Sequence, residues 1–294
     1  MLPQNSNFKL KKKEMKNILL ITIGVFLFIS CDIIEKPFIN IEEDLTPVEF
    51  PALDPDTVYR KLLFEEYTGH RCTNCPNAHD RVAQLLEAYG DTLIPIGIHA
   101  GSLAATNAEY PYDFTNPISI QLYNDFSIPF VPIAIVNRIR FSASSWGSPL
   151  ASWQNHINMV DRTKKYAAIQ LINEFNVQQR ELTAHAKVTI FDQITDRVQL
   201  CLVIIENDIV KPQLRDGIRI PEYNHKHVLR GSLNGNYGVQ LTLDGIVEKD
   251  SAYQKAYKIS YVNKDWNEDH CYVVAYLINM ETKEVLQVEH LKVK

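Results

Sequence analysis

A chain of 294 residues that is 46% hydrophobic and 22% charged has enough apolar material to bury one or two cores, and it contains no repeat or low-complexity tract that would point to a solenoid or a disordered polymer. Its 30 Lys and Arg stand against 35 Asp and Glu, a net charge of −5. That balance argues against nucleic acid and anionic lipid surfaces as partners, because both need clustered basic side chains.

Lys9, Lys11, Lys12, Lys13 and Lys16 precede an apolar run from Ile18 to Ile29 that only Thr22 and Gly24 interrupt. The run is too short for a membrane span, which takes about 20 apolar residues, and it fits the roughly 7–15 of a secretory signal. Met15 to Ser30 is already a complete short signal, so Met15 is an alternative start. The run closes with Leu27-Phe28-Ile29-Ser30-Cys31, which resembles the lipobox of bacterial lipoproteins with Phe28 in place of the usual Leu. Cleavage before Cys31 would leave that cysteine lipidated and the protein anchored to a membrane without crossing it; an ordinary secretory signal would leave Cys31 free. Loss of residues 1–30 removes five Lys and one Glu and takes the net charge from −5 to −9. Residues 31–58 then read as an acidic tether with Pro37, Pro47, Pro51 and Pro55.

Residues 59–165 alternate strand and helix patterns. Leu62–Tyr67 reads as a strand, Cys75–Tyr89 as an amphipathic helix and Thr92–His99 as a buried strand. After a polar insertion from Ala100 to Pro117, Ile118–Phe126 reads as a helix, Ile128–Val136 as a strand opened by prolines, and Trp146–Thr163 as a closing helix. Such alternation argues for an α/β sheet. Between the first strand and helix lies Cys72-Thr73-Asn74-Cys75. A cysteine near a helix start is driven toward thiolate by unpaired backbone N–H groups, and Arg71 and His70 add in the same direction. The pair reads equally as a structural disulfide or as half of a zinc site.

This order of elements resembles the thioredoxin superfamily over about 100 residues. The resemblance implies that Cys72 is the nucleophile, Cys75 the resolving cysteine and Pro132 a cis-proline packed on the dithiol. It also implies that Glu66 is a buried acid assisting proton transfer, with Glu65 on the opposite face as the alternative. Arg71 replaces the family's Trp, and Thr73-Asn74 replaces Gly-Pro.

Beyond Tyr166 the period changes to two, with Leu182, Ala184, Ala186, Val188 and Ile190 alternating with polar residues. Val198–Ile205, Lys255–Val262, Tyr272–Ile278 and Val285–Val293 read as further strands, so residues 166–294 are expected to form an all-β sandwich of Ig-like or fibronectin-like type with about seven strands. Cys201 and Cys271 are either free buried thiols or a bridge. His225 and His227, at i and i+2 on an extended segment, would face one side and could supply half of a metal site, or could be hydrogen-bonded loop histidines. His79 and His99 are solitary in sequence.

The lipobox, Glu65-Glu66-Tyr67-Thr68-Gly69-His70-Arg71-Cys72-Thr73-Asn74-Cys75-Pro76, the His225–Arg230 segment and Tyr272–Gln287 together resemble the outer membrane protein 28 family of Gram-negative envelope lipoproteins. The resemblance implies outer-membrane placement, a thioredoxin-like module and a β-rich C-terminal module; no cofactor is expected. Three functions follow as expectations. One is thiol–disulfide exchange on a protein substrate. The second is non-catalytic surface or periplasmic binding around a structural Cys72–Cys75 bridge. The third is copper delivery using the cysteines with His99 or His227.

Overall fold

The computed structural model describes residues 48–294. The signal segment 1–30, the lipidation candidate Cys31 and the tether up to residue 47 lie outside the described residues.

The first strand, β1 (Leu62–Thr68), is buried along its whole length, as a run with no solvated face must be. Leu62 and Phe64 point into one core and Leu63 and Tyr67 into another. Helix α1 (Cys75–Tyr89) has Pro76 in its first turn, where the missing N–H costs nothing, and buries Ala78, Val82 and Leu85 against the Leu62–Phe64 face. It ends at Gly90, whose φ of +57° suits a residue without Cβ. Strand β2 (Leu93–His99) runs parallel to β1. Helix α2 (Pro117–Asp125) is set by a capping box: Asn116 Oδ1 accepts from the N–H groups of Ile118 and Ser119 at 3.1 and 3.0 Å, and Ser119 Oγ accepts from Asn116 N–H at 3.0 Å. Strand β3 (Ile133–Val136) lies antiparallel to β1 on its other side. Helix α3 (Trp153–Met159) is shorter than the helix expected over 146–163. Ser148 is tied to Ala134 through both backbone groups, so the chain is still extended there and cannot turn until after Pro149.

The remaining strands are β4 (Ala167–Asn176), β5 (Glu181–Ile190), β6 (Val198–Glu206), β7 (Ile209–Arg215), β8 (Ile218–His225), β9 (Val228–Ser232), β10 (Val239–Gln240), β11 (Ala252–Ser260), β12 (Cys271–Asn279) and β13 (Val285–Lys292). They do not close into a separate sandwich. One large sheet has the order β13-β12-β6-β9-β2-β1-β3, with β10 on the edge of β6. Strands from both sides of the expected division at residues 165/166 share one sheet. The join is narrow, a single parallel pair of Gly97 with Val228, reinforced by Gly97 N–H donating to His227 O at 2.7 Å.

A three-stranded sheet, β11-β5-β4, covers one face of β6 and β12, burying Ala184, Ala186 and Val188 with Leu202, Ile204 and Val273. The opposite face of β6 and β12 contributes Val203, Val274 and Tyr276 to the core that Leu63 and Tyr67 enter. Alternating side chains of a strand buried on both faces thus serve two cores. The architecture is mixed α/β, mostly strand, in several sheets. Among the described residues no helix is long and apolar enough to cross a membrane.

Two buried features fix the shared sheet. Arg138 forms a bidentate pair with Glu65, 2.9 Å from Nε and 2.6 Å from Nη2, and lies 3.3 Å from Tyr276 Oη. Arg60 Nη2 donates to Val285 O at 2.8 Å. Cys201 and Cys271 are free and buried, on adjacent strands but five positions apart in register and in different cores. At about 3.3 Å per residue that separation is beyond any bridge. Burial pushes both thiols up to about 12.

Candidate functional site: a dithiol beneath a hairpin

The turn that leaves β1 is shaped by close backbone approach. Arg71 N–H donates to Leu103 O at 3.0 Å and Cys72 N–H to Gly69 O at 3.0 Å. A Cβ on Gly69 would stand 2.6 Å from the Leu103 carbonyl, so only glycine fits between the two backbones. Cys75 opens α1, Cys72 lies three residues before it, and the two are joined in a disulfide with Cα atoms 5.4 Å apart. Cys72 Sγ is 3.8 Å from Val131 O, and the Val131–Pro132 bond is cis. The turn, the helix start and the Val131–Pro132 segment thus meet at the sulfur. Phe130, immediately before them, is 55% exposed.

Glu66 lies on the same face of β1 as Leu62 and Phe64 and is only 5% exposed. Its Oε1 has no hydrogen-bond partner, and its nearest polar neighbour is His79 Nε2 at 3.5 Å. Burial pushes its carboxyl up to about 8, so at neutral pH it keeps its proton. Glu65, on the other face, is committed to Arg138. His79, solitary in sequence, is central here: Nε2 is 2.9 Å from Thr68 Oγ1 and Nδ1 is 2.8 Å from Tyr223 Oη. Burial lowers it to about 4 and holds the ring neutral. These groups border a cavity of about 590 Å³ lined by Glu66, His79, Asp80, Leu86, Tyr223 and His227, and neither cysteine lines it.

Cys72 is not open to solvent, contrary to what an exposed nucleophile would require: it is 3% exposed, and Cys75 is fully buried. The Val131 carbonyl lies on the sulfur, and the β7–β8 hairpin packs on the main chain of the turn. Leu214 N–H donates to His70 O at 2.8 Å, Asp216 N–H to Thr73 O at 3.2 Å and Gly217 N–H to Thr73 Oγ1 at 2.8 Å. The buried Gln213 Nε2 donates to Cys72 O at 3.1 Å and approaches Gly69 O at 3.4 Å. Arg215 pairs with Asp80 on the first turns of α1. Sequence reasoning missed this element. Its signal is the Asp216-Gly217 pair, with φ of +50° and +79°, the two-residue turn that closes tight hairpins.

The expected histidine pair is also corrected. His225 ends β8, but His227 sits in the left-handed region at φ +57°, which breaks the period-two alternation. His225 packs on Phe114, with ring centroids 4.4 Å apart, and His99 stacks on the same ring at 4.5 Å. Burial lowers His225 to about 3 and His227 to about 4, and holds His99 well below its ordinary range. Among the described residues no group of three or more His, Cys, Asp or Glu is placed to hold a metal ion.

Fold and site together define a mixed α/β protein, mostly strand, with a bridged C-x-x-C at the entry to a helix. The chain belongs to the Omp28 family: the family described as outer membrane protein Omp28 matches residues 119–294, more than half of the chain, beginning beyond the dithiol. No curated protein matches it. Among solved structures, HBP35 of Porphyromonas gingivalis is similar at 14% identity and a TM-score of 0.63, over 80% of this chain and 76% of that one. A protein from Agrobacterium tumefaciens is similar at 11% identity and a TM-score of 0.50, over 81% and 96%. A domain of the outer membrane lipoprotein Omp28 from Porphyromonas gingivalis overlaps 44% of this chain and 88% of its own at 17% identity and a TM-score of 0.30. At these identities the first two likenesses speak to fold alone.

Proposed function

We infer that the protein is an envelope lipoprotein, anchored in the outer membrane through Cys31, whose residues 59–165 act as a thioredoxin-like module carrying out thiol–disulfide exchange at Cys72 and Cys75. The observation that carries this reading is the meeting of three groups: a Cys72–Cys75 bridge at the start of α1, the Val131–Pro132 segment against Cys72 Sγ, and the uncommitted acid Glu66 on the strand leading to the turn. The placement of β1 between a parallel β2 and an antiparallel β3 supports the thioredoxin-like assignment.

In the oxidised form a partner thiolate attacks one sulfur of the bridge and the other leaves as a thiolate. Glu66, protonated at neutral pH, is the acid with a proton to give, and its neighbour His79 leads to the cavity. The test is the reduction potential of the Cys72–Cys75 couple in residues 48–294, equilibrated against glutathione. A value between about −120 and −270 mV supports exchange, and one below about −300 mV overturns it in favour of a structural bridge.

The burial of Cys72 favours a second reading, a binding lipoprotein in which the bridge only braces the turn. Under that reading Cys72→Ala leaves partner capture intact. Copper delivery lacks a donor set among the described residues.

A further inference from the structure

The hairpin is held on the 109–114 segment by Arg219 Nε donating to Glu109 O at 3.0 Å and by Ile209 and His225 packed with Phe114, while its contacts with the C-x-x-C turn fall mainly on main-chain atoms. Carbonyls of Gly69, His70, Cys72 and Thr73 all face donors from residues 213–216. Two of those donors are main-chain groups, Leu214 N–H within β7 and Asp216 N–H at the first residue of the turn that follows it. Two of these carbonyls meet backbone N–H groups and two meet the Gln213 side-chain amide, so the turn takes a strand-like segment through its backbone together with one side-chain amide, close to recognition by strand addition. The hairpin that fills the edge is not part of the large sheet. β7 and β8 pair only with each other, so lifting them breaks no ladder of that sheet. Besides the turn, the hairpin is fastened to α1 by Arg215 with Asp80 and by Tyr223 Oη with His79 Nδ1.

Building on the exchange reading, we propose that the Gly69–Thr73 edge is the docking edge for an extended polypeptide segment that carries a cysteine pair, and that β7 is its resident occupant. Partner docking and hairpin release are then one event, and the dithiol stays covered until a strand of the right form replaces β7. The chemistry balances as follows. With the hairpin lifted, a partner thiolate attacks Cys72 Sγ; the Cys72–Cys75 bond breaks, a partner–Cys72 bond forms, and Cys75 leaves as a thiolate and takes a proton. The partner's second thiol, as thiolate, attacks the partner sulfur of the mixed disulfide and expels Cys72. The partner ends as a disulfide and the Cys72–Cys75 pair as a dithiol, two electrons richer. Phe130, exposed before the Val131 carbonyl that touches Cys72, is the apolar side chain available to the incoming segment.

The test reads access to the bridge in residues 48–294 separately from its potential. The first measurement is the rate at which tris(2-carboxyethyl)phosphine reduces the Cys72–Cys75 bond, followed by alkylation and mass spectrometry, with buried Cys201 and Cys271 as internal markers of an intact fold. Arg215→Glu sets a like charge against Asp80 on the surface and is expected to raise the rate at least threefold. Gln213→Ala is expected to raise it about tenfold, and Asp80→Arg added to Arg215→Glu to return it to the parental value. The second measurement is capture of a synthetic extended peptide bearing one activated cysteine by Cys72 in a Cys75→Ser background, which is expected to rise with Arg215→Glu in the same proportion. Parental reduction rates in both single variants, with Tm confirming that they fold, would overturn the proposal. So would faster phosphine reduction without faster peptide capture, which would leave the hairpin a mere shield. A potential in the structural range would sink the exchange reading instead, and would be seen whether or not these rates change.

Discussion

At the scale of single residues, the site is a place where ionisable groups have been taken out of water with neutral partners or none. Burial holds His70 and His79 near 4, His227 near 4 and His225 near 3, and pushes Glu66 to about 8. For the histidines, the unfolded chain binds protons that the folded chain refuses once the pH falls below about 6.5, so stability drops with acid. For Glu66 the folded chain holds a proton that the unfolded chain has released above about 4.5, so its contribution falls as pH rises and stops changing near 8. Each such group contributes a slope of about 1.4 kcal/mol per pH unit within its window. With more histidines lowered than carboxyls raised, Tm is expected to peak near pH 6.5. Glu66→Gln is expected to flatten the decline from there to pH 8 while leaving the acid limb in place. An unchanged decline in thermal melts of that variant would mean that Glu66 is ionised in the fold. The C-x-x-C pair is a local pattern that spacing alone shows, whereas Pro132 entered only through the resemblance to the thioredoxin superfamily. The roles of His79 and Tyr223 were not legible, since their contact spans 144 residues of chain.

Among the elements, those that end in a local chemical signal could be read directly. Pro76 and Gly90 bracket α1, and Asn116 with Ser119 opens α2. The turn before α1 depends on a contact with no such signal, the approach of the Leu103 carbonyl to Gly69. Gly69→Ala is expected to destabilise the fold by about 1–3 kcal/mol, the usual range for overfilling a packed site, and to displace the C-x-x-C turn. Denaturant melts measure the first effect, and amide shifts of Arg71 and Cys72 the second. A melt within experimental error of the parent would show that the 102–104 turn yields freely. The β7–β8 hairpin was illegible for a different reason: apart from Ile209 its buried positions are the polar Gln213 and His225, so no period-two hydrophobic pattern marks it.

For the molecule as a whole, the change of sequence period near residue 166 marks a change of architecture but not a division between bodies. Periodicity reports which face of a strand is buried and is silent on which strand lies alongside. Leu63, Tyr67, Ile94 and Ile96 share a core with Val203, Leu229, Val274 and Tyr276. A fragment of residues 59–165 is therefore expected to lack a fixed tertiary structure where residues 48–294 fold, as read by amide dispersion in NMR. A well-dispersed spectrum from the fragment would show that its own core suffices. The Gly97–Val228 join also sets a timetable for the growing chain. The free edge of β2 is made first, and its neighbour follows on the order of ten seconds later at synthesis rates of roughly 5–20 residues per second. During that interval the segments of the first three strands lack the residues that complete their core, and whatever shields their apolar side chains then governs how much of the protein matures.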